Sequence, residues 1–298
     1  DTIEFNIPGP GPHVIDVVTA LPLIYTPVSI LGDTQPGYAG TPLVEIHGPT
    51  PDFFDIGIWL QSSNSVIRGL RATGFTMAGI AMEGPHNASR VEACVVDYNN
   101  DGLSIGCGVV GGTVASNRNI IVNNLTNGIV IYTIAGKAIQ VLGNYIGVAA
   151  DGVTPAGNGE NGIKIIYGQN VTIKGGAAYP QVISGNGQNG IYLAPNGGYV
   201  QYCSNNIVQG NFVGVDVTGT NALPNKTGIY IWGGHGNTIG GTSPDLRNVI
   251  AGNTEKGLDI GGINIGSVVL SGHHNNIYGN YFGLGSDGET ILPNDVNV

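Results

Sequence analysis

Gly228-Ile229-Tyr230-Ile231 decides the fold, because its pattern of glycine, apolar, any residue, apolar recurs along the chain. Seven further copies begin at Gly57, Gly79, Gly102, Gly128, Gly162, Gly190 and Gly257. Such alternation marks a half-buried strand. Positions one and three after the glycine are always Ile, Leu or Met, so they face inward. Position two varies freely and faces outward. The first three copies lie 22 and 23 residues apart, and later intervals widen to as much as 38. A four-residue strand at that spacing has no hairpin partner within reach. It pairs with its own copy one winding later, which builds a solenoid of parallel strands about 4.8 Å apart.

A second unit explains the wider intervals. Gly143-Asn-Tyr-Ile-Gly-Val returns as Gly210-Asn-Phe-Val-Gly-Val and as Gly279-Asn-Tyr-Phe-Gly-Leu, 67 and 69 residues apart. Each copy leads into a loop carrying Asp151, Asp216 or Asp287, and the first two of these loops fall inside the two widest intervals. Glycine and asparagine tolerate positive φ and supply the sharp corners that each winding needs. With 51 Gly in 298 residues, the chain has corners to spare for a solenoid. Asn186, Asn211, Asn253 and Asn280 are candidates for asparagine ladders, in which side chains hydrogen-bond from one winding to the next.

Composition narrows the function. Charged residues are only 10% against 41% hydrophobic, so the chain has the means to build a core and does not resemble a disordered one. The net charge of −10, with ten scattered Lys and Arg, excludes a phosphate-reading surface and disfavours anionic membrane. No run of 18 apolar residues spans a bilayer. Three cysteines, Cys94, Cys107 and Cys203, cannot all pair within the chain; they read as buried small hydrophobes, with a Cys94–Cys107 bridge as the alternative.

The Gly-Asn-Tyr-Ile-Gly units, Asn237-Thr-Ile-Gly-Gly and Arg247-Asn-Val-Ile-Ala-Gly-Asn resemble the repeats of right-handed parallel β-helix proteins of secreted or cell-surface bacterial type, the pectate-lyase-like fold. The opening Asp1-Thr-Ile-Glu-Phe, Ala20-Leu-Pro and Gly32-Asp-Thr-Gln-Pro-Gly-Tyr are similar to the entry segment of such surface proteins. The resemblance covers nearly the whole chain. It implies an all-β, right-handed parallel β-helix of roughly nine or ten coils with an N-terminal cap, secreted or at the cell surface. One domain is expected over 1–298: residues 1–50 form the cap and first coil, 51–298 the regular coils, with a truncated C-terminal end. The fold hosts lyases, hydrolases, epimerases, adhesins and stalks, so function rests on the site.

Stacking the eight copies lines up their outward residues. Two after each glycine stand Trp59, Ala81, Ser104, Val130, Lys164, Tyr192, Tyr230 and Asp259; four after stand Gln61, Glu83, Gly106, Tyr132, Ile166, Ala194, Trp232 and Gly261. The C-terminal half is aromatic. Tyr132, Tyr167, Tyr192, Tyr230 and Trp232 are the expected substrate-binding residues, since exposed apolar patches mark binding and a row of rings suits a linear glycan. The expected partner is polysaccharide, for a monomer or part of a longer chain, with no nucleic acid and no membrane insertion. The alternatives are a polysaccharide lyase or glycoside hydrolase on the same face, or a structural stalk or adhesin segment. For a lyase, Lys164 beside Tyr192 favours tyrosinate, so Tyr192 is the candidate base. Asp259 is the only carboxylate at position two, whereas a hydrolase wants a pair about 5–9.5 Å apart. Asp97 and Asp101 lie close in sequence and read as turn formers, and Gly234-His235-Gly236 as a turn. No metal site and no cofactor are expected. Ca²⁺ at the Asp151, Asp216 and Asp287 loops is the weaker alternative, since it wants about six to eight oxygens and each loop offers one or two carboxylates. The sequons at Asn87, Asn124, Asn170 and Asn225 read as coincidences.

Overall fold

The computed structural model of the chain describes residues 1–48, 55–83, 88–132, 137–194, 203–265, 268–270 and 272–298. The sequon at Asn87 lies outside them. Three parallel sheets run the length of the molecule. The first holds ten strands, from Thr2–Glu4 to Asn276–Tyr278, and the second ten, from His13–Asp16 to Tyr281–Phe282. The third holds eight, from Ile56–Leu60 to Lys256–Gly261. Every strand in them pairs with its counterpart one winding on, so the chain is a parallel β-helix of ten windings, of the right-handed kind that parallel crossovers favour. The described exception is the antiparallel pair Ile263–Ile265 and Val268–Leu270.

The eight glycine-led units are the eight strands of the third sheet. Ile129, Ile163, Ile191, Ile229 and Leu258 stack in register and are fully buried. Val110, Val141, Ile173, Val208 and Ile239 do the same in the first sheet, and Ile121, Ile146, Ile183, Val213 and Ile250 in the second. These inward rows form one continuous core. Residues 1–47 wind with the rest: Thr2–Glu4 pairs with Ser29–Leu31, His13–Asp16 with Val44–His47, and Ile24 bridges Leu60. Phe5 and Ile7 pack against that end of the core.

The corners use glycine in two ways. Gly143, Gly147, Gly210, Gly214, Gly279 and Gly283 have φ between +63° and +88°, where a side chain is strained. The glycine of the strand unit does not. At Gly162 a Cβ would lie 2.7 Å from the Gly190 carbonyl oxygen, so close approach of windings requires glycine there.

Asparagines hold the corners along the axis. Between the second and third sheets, Nδ2 of Asn99, Asn124, Asn158, Asn186, Asn225 and Asn253 each donates to Oδ1 of the next, ending at Asn294, over 2.9–3.2 Å. Between the first and second sheets the run is Asn119, Asn144, Gln181, Asn211, Asn248 and Asn280. Asn124 and Asn225 are therefore buried rungs and not glycan acceptors.

The 67- and 69-residue period corresponds to two windings. Windings five, seven and nine turn from the first sheet to the second through long corners, residues 112–119, 175–180 and 241–248. Windings six, eight and ten turn there through one or two residues, at Gly143, Gly210 and Gly279. The loops of Asp151, Asp216 and Asp287 follow the short-cornered windings. Each closes with an antiparallel bridge, Val148–Pro155, Val215–Ala222 or Leu284–Ile291. They touch one another through Val217 N to Gly152 O and Ser286 N to Gly219 O, both 2.9 Å. Val217, Leu223 and Leu292 pack on Tyr145, Val182, Val249 and Tyr281, giving the second sheet an outer apolar layer. Asp151 and Asp287 each accept two backbone N–H groups and a threonine hydroxyl within their own loop. Asp216 does likewise with Thr218 and Asn221.

Candidate functional site

The outward row of the third sheet forms in the expected order. Trp59, Ala81, Ser104, Val130, Lys164, Tyr192, Tyr230 and Asp259 are register partners from strand to strand. Its exposure is uneven. Ala81 (0%) and Val130 (2%) are buried although they point away from the core. The open stretch therefore begins at Lys164, and the N-terminal half of the row is not a continuous ligand surface. Ser104 Oγ there donates to Glu83 over 2.7 Å, and Trp59 Nε1 is buried with no hydrogen-bond partner among the described residues.

The five aromatics do not form one row. Tyr192 and Tyr230 stack at 5.2 Å between centroids and 11° between planes. Trp232 lies 6.5 Å from Tyr192 and 6.3 Å from Tyr230, near-parallel to both. All three are half-buried. Tyr132 and Tyr167 make a separate tilted pair at 6.3 Å and 57°. Tyr132 has Ile166 and then Ala194 as its register neighbours, so its column carries no ring between it and the triad. Trp232 has Gly261 as its neighbour on the other side. A Cβ at Gly261 would lie 3.4 Å from Tyr230 Oη and 3.6 Å from Trp232 Cδ1, so the glycine places no side chain of its own over that flank of the ring group. Sequence reasoning passed over Gly261; its signal was a missing side chain beside the largest ring of the row.

Lys164 lies between Val130 and Tyr192 in the register and makes no hydrogen bond or ion pair among the described residues. Burial works against the base role expected of Tyr192. Burial first, then the neighbouring Tyr230 and Cys203, push its hydroxyl up to about 12. Desolvation opposes tyrosinate here, and Lys164 is not among the groups that move it. Burial and then Asp259 likewise raise Tyr230. Asp259 itself accepts a 2.7 Å bond from Lys256 Nζ, a partner unforeseen in sequence although Lys256-Gly-Leu-Asp259 is contiguous. Its carboxylate is thus committed to an ion pair, with no second carboxylate beside it in the row.

The lesser candidates resolve as structure. Asp97 takes a two-pronged bond from Arg71, at 3.0 and 2.8 Å. Asp101 Oδ1 accepts from Thr126 Oγ1 and from Asn127 N and Nδ2. His235 stands 5.5 Å from His273, and burial together with His273 and His274 lowers its pKa. The three cysteines are free and buried, which removes the Cys94–Cys107 bridge. No helix among the described residues is long and apolar enough to cross a membrane.

Neither the family models nor the curated proteins include a match to this chain. Among solved structures it is similar to the mannuronan C-5 epimerase AlgE4 A-module of Azotobacter vinelandii, at 15% identity and a TM-score of 0.48, covering 85% of this chain and 65% of that one. The AlgE6 A-module of the same organism is similar at 13% identity and a TM-score of 0.48, covering 94% and 90%. The periplasmic alginate epimerase AlgG is similar at 16% and 0.44, covering 85% and 58%. This chain thus spans less than two thirds of the AlgE4 module and of AlgG. On its own three parallel sheets, stacked winding upon winding, the chain has the parallel β-helix fold.

Proposed function

We propose that this chain binds an extracellular polysaccharide across the C-terminal half of its third sheet, as a secreted or cell-surface protein. The observation that carries the reading is the near-parallel, half-exposed group of Tyr192, Tyr230 and Trp232, with side-chain-free Gly261 on its flank. Flat, half-exposed rings offer a pyranose an apolar platform, and Tyr and Trp add polar tips for its hydroxyls. Lys164, one winding away from Tyr192 and with no ion pair among the described residues, gives an acidic sugar residue a counter-charge. Tyr132 and Tyr167 provide a second contact further along the axis. Binding is preferred over catalysis because burial raises the Tyr192 hydroxyl, which opposes a base role, and Asp259 is tied to Lys256. Incubating the protein with a panel of insoluble glycans tests this. Retention without new reducing ends or unsaturated product is expected, and the double variant Tyr230→Ala plus Trp232→Ala should lose about tenfold or more in affinity while still folding. Turnover of any glycan, or retention unchanged in that variant, would overturn the reading.

A further inference from the structure

Opposite in character to the aromatic face is a notch on the outer side of the second sheet. The long corners of windings five and nine each end in arginine followed by a rung asparagine, Arg118-Asn119 and Arg247-Asn248. Both arginines do the same thing. The Arg118 guanidinium lies over the Tyr145 ring at 4.0 Å, and its Nε donates to the Gly143 carbonyl at 3.1 Å. The Arg247 guanidinium lies over Tyr281 at 4.0 Å, and its Nε donates to the Gly279 carbonyl at 2.9 Å. Each cation thus reaches one winding ahead and seats itself on a ring beside a glycine carbonyl.

Winding seven breaks the pattern. Its corner ends in Pro180-Gln181, so it sends no cation forward. The ring it should cover is Phe212, the register partner of Val182 and Val249 in the column of Tyr145 and Tyr281. The Gly210 carbonyl, which stands where those of Gly143 and Gly279 stand, receives no donor among the described residues. Over Phe212 lies a cavity of about 540 Å³, lined by Pro180, Gly210, Val217, Pro244, Asp245 and Val249 among others. The short corner of winding eight, like that of winding six, lies between two long ones; here no arginine reaches over the ring.

We propose that this notch is a binding site for an organic cation of guanidinium type, seated on the Phe212 ring between the Gly210 carbonyl and the Asp245 carboxylate. The size falls within the range of small-molecule sites, and the mix of apolar walls with a few polar groups is theirs too. Asp245 is held ionised by its bond from Ser243, with Lys174 nearby. Arg247 also lines the cavity, but its guanidinium is engaged with Tyr281 and Gly279. The cation has two sources, a free small molecule or an arginine side chain of a partner protein.

Titration of ¹³C-phenylalanine-labelled protein with methylguanidinium chloride at constant ionic strength tests the site. A saturable shift of the Phe212 ring signals is expected, with none from the neutral isostere N-methylurea. Pro180→Arg supplies the missing internal cation and should weaken binding about tenfold or more. Phe212→Leu, which adds nothing to the notch but removes the reporting ring, is followed by saturation-transfer signals of the ligand and should do the same, and Asp245→Asn should weaken binding severalfold. Melting temperatures of each variant confirm that the fold persists. If an Ac-Gly-Arg-Gly-amide peptide binds about tenfold more tightly than methylguanidinium, the source is a partner arginine; equal affinity assigns a free cation. Equal shifts from N-methylurea or methyl glucoside, or unchanged binding in Pro180→Arg, would overturn the proposal.

Discussion

At the scale of the residue, the strand unit was legible and its surroundings were not. Alternation told inward from outward at Ile163, Lys164 and Ile165 because period two is a property of the strand alone. Whether an outward residue meets solvent depends on what packs over it from elsewhere, and Ala81 and Val130 turned out covered. Ring orientation was equally hidden, since it follows from cross-strand neighbours: Tyr192 leans on Tyr230, and Tyr132 on Tyr167. Tyr192 looked activated beside Lys164, but burial outweighs a lysine that shares the sheet face with it. Gly261 provides the sharpest test at this scale. In Gly261→Leu a side chain is placed against Trp232 and Tyr230. Glycan retention should fall about tenfold or more, with tryptophan fluorescence shifted to the blue as the indole loses water. Unchanged retention would show that ligand does not use that flank.

At the scale of the element, the asparagines named from sequence fall into two separate columns. Asn186 and Asn253 belong to the one between the second and third sheets, and Asn211 and Asn280 to the other. Sequence gave residue type and corner, but the offset between corners depends on loop lengths and is fixed only by the winding. Each rung satisfies backbone as well as side chain. Asn158 Oδ1 accepts from both N and Nδ2 of Asn124, and its Nδ2 donates to Ile121 O and to Asn186 Oδ1. Asn158→Ala strands these groups where water does not reach them. The expected loss is about 1–3 kcal/mol by denaturant titration. Asn170→Gly is the control: Asn170 is exposed, lies in neither column and has φ +58°, which glycine adopts freely, so its loss should be near zero.

At the scale of the whole molecule, one flank carries three acidic loops that contact one another in succession. The carboxyls of Asp151, Asp216 and Asp287 all lie below the ordinary range in the folded chain, Asp287 at about 2. Hydrogen bonds within each loop lower Asp151 and Asp287. At Asp216 burial is the largest influence and raises the pKa, and bonds from Thr218 and Asn221 outweigh it. A carboxyl depressed on folding stabilises the fold above its unfolded value, and that contribution is lost as pH falls through the folded value. The melting temperature should therefore hold above about pH 4 and decline from there towards pH 2. In Asp287→Asn the decline should be shallower; an identical curve would show that the loop does not contribute.

The two-winding alternation also bears on how such a rod changes length over generations. A duplicated segment of 67 to 69 residues brings one long corner, one short corner and one acidic loop together. It extends the molecule by about 9.6 Å and leaves every junction like one already present. Copying a single winding would set two bulky corners side by side, or two loops on adjacent turns, with no precedent between windings five and ten. Descendants of this chain should therefore gain or lose windings in pairs.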